Sequence, residues 1–189
     1  MEVCGEADNI QSAMQIIRLR KPDIVIVDVT LRGSSGLELI KDLKAQELHV
    51  PVLVLSMHAE ALYAERALRA GAKGYIAKHE ATSTLRRAIQ RVLAGEIYLS
   101  EEMTAGMLAK LSNPDSGEKM GGMELLTDRE LEVFQMIGKG HNTQEIAHHI
   151  NLGETTVDTY RARIRTKMRL RSAAEVFRRA AQWVTAQGV

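Results

Sequence analysis

Three residues close short apolar runs in the first half of the chain. Asp28 follows the run at 24–27, Ser56 follows 52–55, and Lys78 follows 75–77. If those runs are parallel strands, all three side chains stand at carboxyl ends, where open α/β sheets place their functional crevice. A carboxylate nucleophile, a hydroxyl donor and an ammonium to neutralise transferring charge suit phosphoryl chemistry. Taken singly, each fits a plainer role: Asp28 as a turn cap, Ser56 as a helix cap, Lys78 as surface charge. A second constellation lies near the other end. Arg161, Arg163, Arg165, Lys167, Arg169 and Arg171 are six cations in one stretch that holds no acid. On a helix, Val157, Ile164 and Met168 make one apolar stripe. Asp158, Thr159, Ala162, Arg163, Thr166 and Arg169 lie opposite it, with Arg165 at the edge. Small and polar residues mixed with Arg are what a DNA major groove accepts. A solvated helix face, or a strand of period two, would show the same alternation.

Positioning the first trio requires strands alternating with helices. The β-branched runs at 24–27, 50–55 and 74–77 are apolar on both faces, which suits the interior of a parallel sheet. Between them, Ile10, Ala13, Met14 and Ile17 share a helical face, as do Leu37, Ile40 and Leu43, then Leu62, Ala67 and Leu68, then Leu85, Ile89 and Val92. Gly71 and Gly95 stand where helices should stop. This rhythm predicts an open α/β layer structure with right-handed crossovers. Ser, Asn, Pro, Asp and Gly dominate 112–122, so that stretch reads as a linker. Beyond it no strand pattern appears. Thr127 with Glu130, Asn142 with Glu145, and Ser172 with Glu175 are helix-starting pairs, the first and last of them capping boxes. A tight turn at 152–154 leads into the basic helix, which is the layout of a helix-turn-helix.

Composition narrows the field. Twenty-five Lys+Arg face 24 Asp+Glu, for a formal net charge of +1, which argues against indiscriminate coating of nucleic acid but leaves room for a local basic patch. No uncharged run approaches the ~18 apolar residues of a membrane span. Met1-Glu2-Val3 opens no secretory signal. Cys4 is the only cysteine, so intrachain disulfides and Cys-based zinc sites are excluded. A cytoplasmic protein is expected, with no membrane partner.

The motifs in the second half closely resemble the LuxR-type helix-turn-helix. They are Leu-Thr-Asp-Arg-Glu-Leu-Glu-Val at 126–133, Gly-His-Asn-Thr-Gln-Glu-Ile-Ala at 140–147, Thr-Thr-Val at 155–157 and Ile-Arg-Thr-Lys at 164–167. The resemblance implies a recognition helix over 153–168 that reads double-stranded DNA. Base-facing positions then fall on Asp158, Thr159 and Ala162, and phosphate-facing ones on Thr143, Thr156, Arg163, Lys167 and Arg171, with Arg165 a further DNA-binding residue. It further implies a homodimer on DNA through Phe177, Ala181 and Val184. If about five phosphates are neutralised, affinity should fall several-hundred-fold between 50 and 200 mM salt. Two positions depart from the family: Gly153 lacks the usual cap hydroxyl, and the Asp158 carboxylate would repel phosphate.

The first half resembles the receiver domain of NarL/FixJ-type response regulators. The matching segments are Pro-Asp-Ile-Val-Ile-Val-Asp-Val-Thr-Leu at 22–31, Gly-Leu-Glu-Leu at 36–39, Pro-Val-Leu-Val-Leu-Ser at 51–56 and Ala-Gly-Ala-Lys-Gly-Tyr-Ile-Ala-Lys at 70–78. By this resemblance Asp28 is the phosphoacceptor, Ser56 the switch hydroxyl, Tyr75 the switch aromatic and Lys78 the phosphate-binding lysine. The Thr30 carbonyl would be a metal ligand. The fold implied is a doubly wound, flavodoxin-like α/β receiver, N-terminally truncated, at 1–98. A linker helix and linker at 99–123 and an all-α helix-turn-helix domain at 124–189 follow. The implied function is transcriptional regulation in a two-component phosphorelay, not enzymatic turnover, with a sensor histidine kinase as partner and Mg²⁺ as the cofactor of phosphorylation. A phosphorylation-independent regulator or interaction module is the alternative. The stretch 2–7 resembles the family's second strand, so the first strand, its acidic pair and the first helix have no counterpart. Arg32 replaces the usual proline. One Asp and one carbonyl are a poor Mg²⁺ set, so no reliable metal site is expected and Asp28 should take up phosphate inefficiently in this chain.

Overall fold

A computed structural model describes residues 1–31, 34–56, 61–78, 81–112 and 122–186. The chain divides into two compact units, Met1–Pro114 and Asp115–Val189.

In the first unit, helix α1 (Ile10–Arg20) starts where the Asn9 side chain accepts from the Ser12 amide. Strand β1 (Val25–Asp28) follows, then a small antiparallel hairpin of β2 (Thr30–Leu31) and β3 (Ser34–Ser35) that nothing in the sequence pattern announced. Ser35 and Glu38 form a capping box that launches α2 (Gly36–Ala45). Strand β4 (Val52–Ser56), α3 (Ala61–Ala70), β5 (Gly74–Ala77), α4 (Ala81–Leu93) and α5 (Glu101–Ser112) complete the unit. The three long strands form a parallel sheet in the order β1-β4-β5, with Val25 opposite Val52 and Leu53 opposite Gly74. Gly71 and Gly95, at φ +123° and +84°, end α3 and α4 in backbone conformations that side chains disfavour.

Helix α4 closes one face of the sheet through Leu53, Ile76, Ala88, Ile89, Val92 and Tyr98. Helix α3 packs against β5, and α5 packs against α3. Every residue of β5 is buried, as the uninterrupted apolar run requires. Strand β1 is an edge, and its Ile26 is 44% exposed. The strand expected at 2–7 is not formed; those residues lie outside any helix or ladder and are exposed. A strand needs a neighbour for its N–H and C=O groups, and among the described residues none pairs with this stretch.

The second unit is all-helical. A short 3-10 turn, Met123–Leu125, precedes α6 (Asp128–Gly138), α7 (Thr143–His149), α8 (Glu154–Lys167) and α9 (Ala173–Ala186). Capping boxes at Thr127/Glu130 and Asn142/Glu145 are complete. At α9 the Ser172 hydroxyl accepts from the Glu175 amide, but the Glu175 carboxylate reaches the Arg171 amide, one residue earlier than the box expected. Leu131, Phe134, Ile137, Ile146, Ile150, Val157, Ile164 and Ala180 form the core. A Cβ added at Gly138 would sit 2.5 Å from the Ala180 carbonyl oxygen, so the absence of a side chain there lets α6 and α9 touch. Of the linker expected at 112–122, Ser112 ends α5 and Gly122 caps the 3-10 turn; residues 113–121 lie outside the described ones. No helix of the described residues is long and apolar enough to cross a membrane.

Candidate functional site

The sheet brings its trio together as the strand ends require. Asp28 Oδ2 lies 2.5 Å from Lys78 Nζ, and Oδ1 accepts from the Thr30 amide at 3.1 Å. The Lys78 amide donates to the Ser56 carbonyl at 2.6 Å, locking the two strand ends together. Each partner of the Asp28–Lys78 pair stays about a third exposed, whereas Ser56 is 1% exposed and Tyr75 fully buried. Thr30 sits opposite Ser35 in the small hairpin. Gly36 is the contributor that residue typing missed. A Cβ there would come within 2.0 Å of the Asp28 carbonyl oxygen, so only glycine lets α2 begin beneath the acidic residue.

Fit to Mg²⁺ follows from the donor set. Magnesium demands near-octahedral oxygen ligation, normally with carboxylates to offset its charge. Among the described residues, Asp28 has both its carboxylate oxygens already engaged by donors. Among the described residues no group of three His, Cys, Asp or Glu converges. The described residues do not fit the ion.

The second constellation resolves into a helix with two distinct flanks. Val157, Ile164 and Met168 are buried, while Thr156, Asp158, Thr159, Ala162, Arg163, Arg165, Arg169 and Arg171 are exposed. Gly153 caps α8 without a side-chain bond, as its type dictates. Thr159 and Thr166 turn their hydroxyls back onto the carbonyls of Thr155 and Ala162. Arg161, half-buried, donates from Nη1 to the Thr143 hydroxyl at 3.5 Å, and that hydroxyl faces Asp158 Oδ1 at 3.4 Å.

Two of the expected residues make contacts within their own unit. The Lys167 ammonium lies 2.6 Å from Glu130 Oε2, and Glu130 is 2% exposed. A buried carboxylate is costly without a cation, so it captures the nearest one. Glu130 had signalled only its capping role; nothing in the linear sequence pairs it with a residue 37 positions on. Val184 is buried inside its own unit, where its Cγ2 would lie 2.7 Å from a Cβ at Gly138. The open strip of α9 is instead formed by Phe177, 49% exposed, with Ala181, Gln182 and Thr185.

Burial alone would raise the Glu130 carboxyl, but the Lys167 ammonium and the Thr127 amide and hydroxyl outweigh it and hold it below the usual carboxylate range. A carboxyl depressed on folding stabilises above its unfolded pKa, about 4.3, and that contribution is lost as pH falls through the folded value. Urea unfolding between pH 3 and 7 should therefore show an acid-labile component that Glu130→Gln removes. Lys167→Met should move the loss to higher pH. Identical profiles for all three chains would contradict the pairing.

Comparison with known proteins now bears on this geometry. Residues 1–90 match the model of the response regulator receiver domain, and residues 124–180 match that of bacterial regulatory proteins of the luxR family. The transcriptional activator protein ExaE of Pseudomonas putida is 36% identical over 90% of this chain and 79% of its own length. The response regulator GacA of Pseudomonas aeruginosa is 31% identical over 93% and 81%. The chain belongs to the LuxR-type response regulators. A crystal structure of a two-component response regulator of the LuxR family from Aurantimonas sp. SI85-9A1 agrees in fold, at 29% identity and TM-score 0.52, covering 56% of this chain and 76% of that one. Receiver domains of LuxR-type response regulators use Mg²⁺ for phosphorylation.

Proposed function

We propose that this chain is a sequence-specific transcription regulator that binds double-stranded DNA through α8, as a homodimer, at the output end of a two-component phosphorelay. One observation carries the reading: the exposed flank of α8 sets small and polar side chains between arginines that no acid among the described residues pairs with. Arginine can bond base edges or phosphates, and Thr159 and Ala162 permit close approach. Phe177, Ala181 and neighbouring α9 residues supply the contact between copies. Enrichment of one motif from a randomised duplex pool by the full chain is the expected result; an unenriched pool would overturn the reading.

Asp28 is the acceptor position for a sensor histidine kinase in this reading, with Lys78 as charge neutraliser and Ser56 and Tyr75 as the switch pair. The donor set favours a second reading for the chain as it stands, regulation independent of phosphorylation. Incubation with acetyl phosphate and Mg²⁺ should leave the intact mass unchanged, and a stoichiometric phosphoryl adduct would exclude this second reading.

A further inference from the structure

Asp158 is an anomaly on its own helix. A carboxylate on the exposed, arginine-bearing flank of α8 works against the attraction of that flank for a polyanion. It is not drawn into an ion pair with the neighbouring arginines; it accepts instead from the Thr143 hydroxyl, at 3.4 Å from Oδ1. The polarity of that contact is fixed from behind. Arg161 has only N–H donors, so the Thr143 oxygen must accept from it, which leaves the hydroxyl proton to donate to Asp158. The chain Arg161 to Thr143 to Asp158 holds one carboxylate oxygen towards α7, and no described donor reaches Oδ2. An oriented acceptor with a free oxygen therefore stands next to Ala162, one turn on, whose methyl keeps the approach open.

An acceptor in a DNA groove seeks a donor. In the major groove only cytosine N4 and adenine N6 offer N–H groups. Adenine places its N7 acceptor beside N6, where a carboxylate's second oxygen would meet a lone pair. Cytosine presents N4–H₂ with no acceptor on the same base.

We infer that Asp158, oriented by the Thr143–Arg161 relay, is a specificity-determining residue that selects a cytosine in the major groove. The inference rests on the DNA-binding reading above and assigns it one base position.

Selection from a randomised duplex pool with the full chain, followed by base-by-base competition, tests it. The wild-type motif should hold a cytosine whose replacement lowers affinity about tenfold. D158A should lose preference at that position alone, and D158N should shift it towards adenine, whose N6 and N7 match a side-chain amide. Both substitutions are at an exposed position and leave the core untouched. If D158A and D158N recover the wild-type motif unchanged, the inference is overturned while DNA binding stands. If the wild-type chain enriches no motif, both fall together.

Discussion

Raising monovalent salt from 50 to 200 mM is expected to weaken duplex binding about 150-fold per recognition helix. The figure follows from counting free cations. Of the six between 161 and 171, Arg161 is engaged with Thr143 and Lys167 with Glu130, leaving Arg163, Arg165, Arg169 and Arg171. Four neutralised phosphates give a slope of about −3.6 in log affinity against log salt. Arg163→Ala with Arg165→Ala should halve that slope, so the same salt step would cost only about 12-fold. Lys167→Ala should leave the slope unchanged even if affinity drops, because its charge is already paired with Glu130. Fluorescence anisotropy at four or five salt concentrations measures all three. A flat response, or promoter occupancy untouched by the double substitution, would remove DNA as the partner.

Phe134→Ala should cost the second unit about 3–5 kcal/mol. Phe134 is fully buried, and its ring centroid lies 6.0 Å from that of Trp183, itself buried on α9. Truncation removes apolar area, that ring contact and the filling between α6 and α9. Small domains hold only about 5–15 kcal/mol in reserve, so the variant should be partly unfolded near physiological temperature. Trp183 is the single tryptophan, so urea unfolding followed by its emission reports this region directly. A loss below about 1 kcal/mol would show that the site collapses around the deletion.

Much of this was legible before any coordinates, because period and punctuation are local. The apolar runs ending in Asp28, Ser56 and Lys78 became adjacent parallel strands, since a run apolar on both faces has few other places to lie. The Thr127 and Asn142 boxes start their helices where three-residue spacing placed them. What stayed hidden was set by distance along the chain. Glu130 and Lys167 are far apart in sequence, and only the packing of α6 against α8 reveals why that cation is withdrawn. Val184 and Phe177 share a helix whose two sides look alike in type; the close approach at Gly138 decides which turns inward. The expectation of a strand at 2–7 rests on resemblance alone, yet a ladder needs a second strand, and none of the described residues pairs with this stretch.

Gly138 carries a mechanical corollary. With no methyl of clearance between α6 and the Ala180 carbonyl, the first and last helices of the unit meet backbone to backbone here. Through the Glu130–Lys167 tie, α6 is also lashed to the far end of α8. One bare backbone contact and one ion pair thus join α9 to α8 by way of α6.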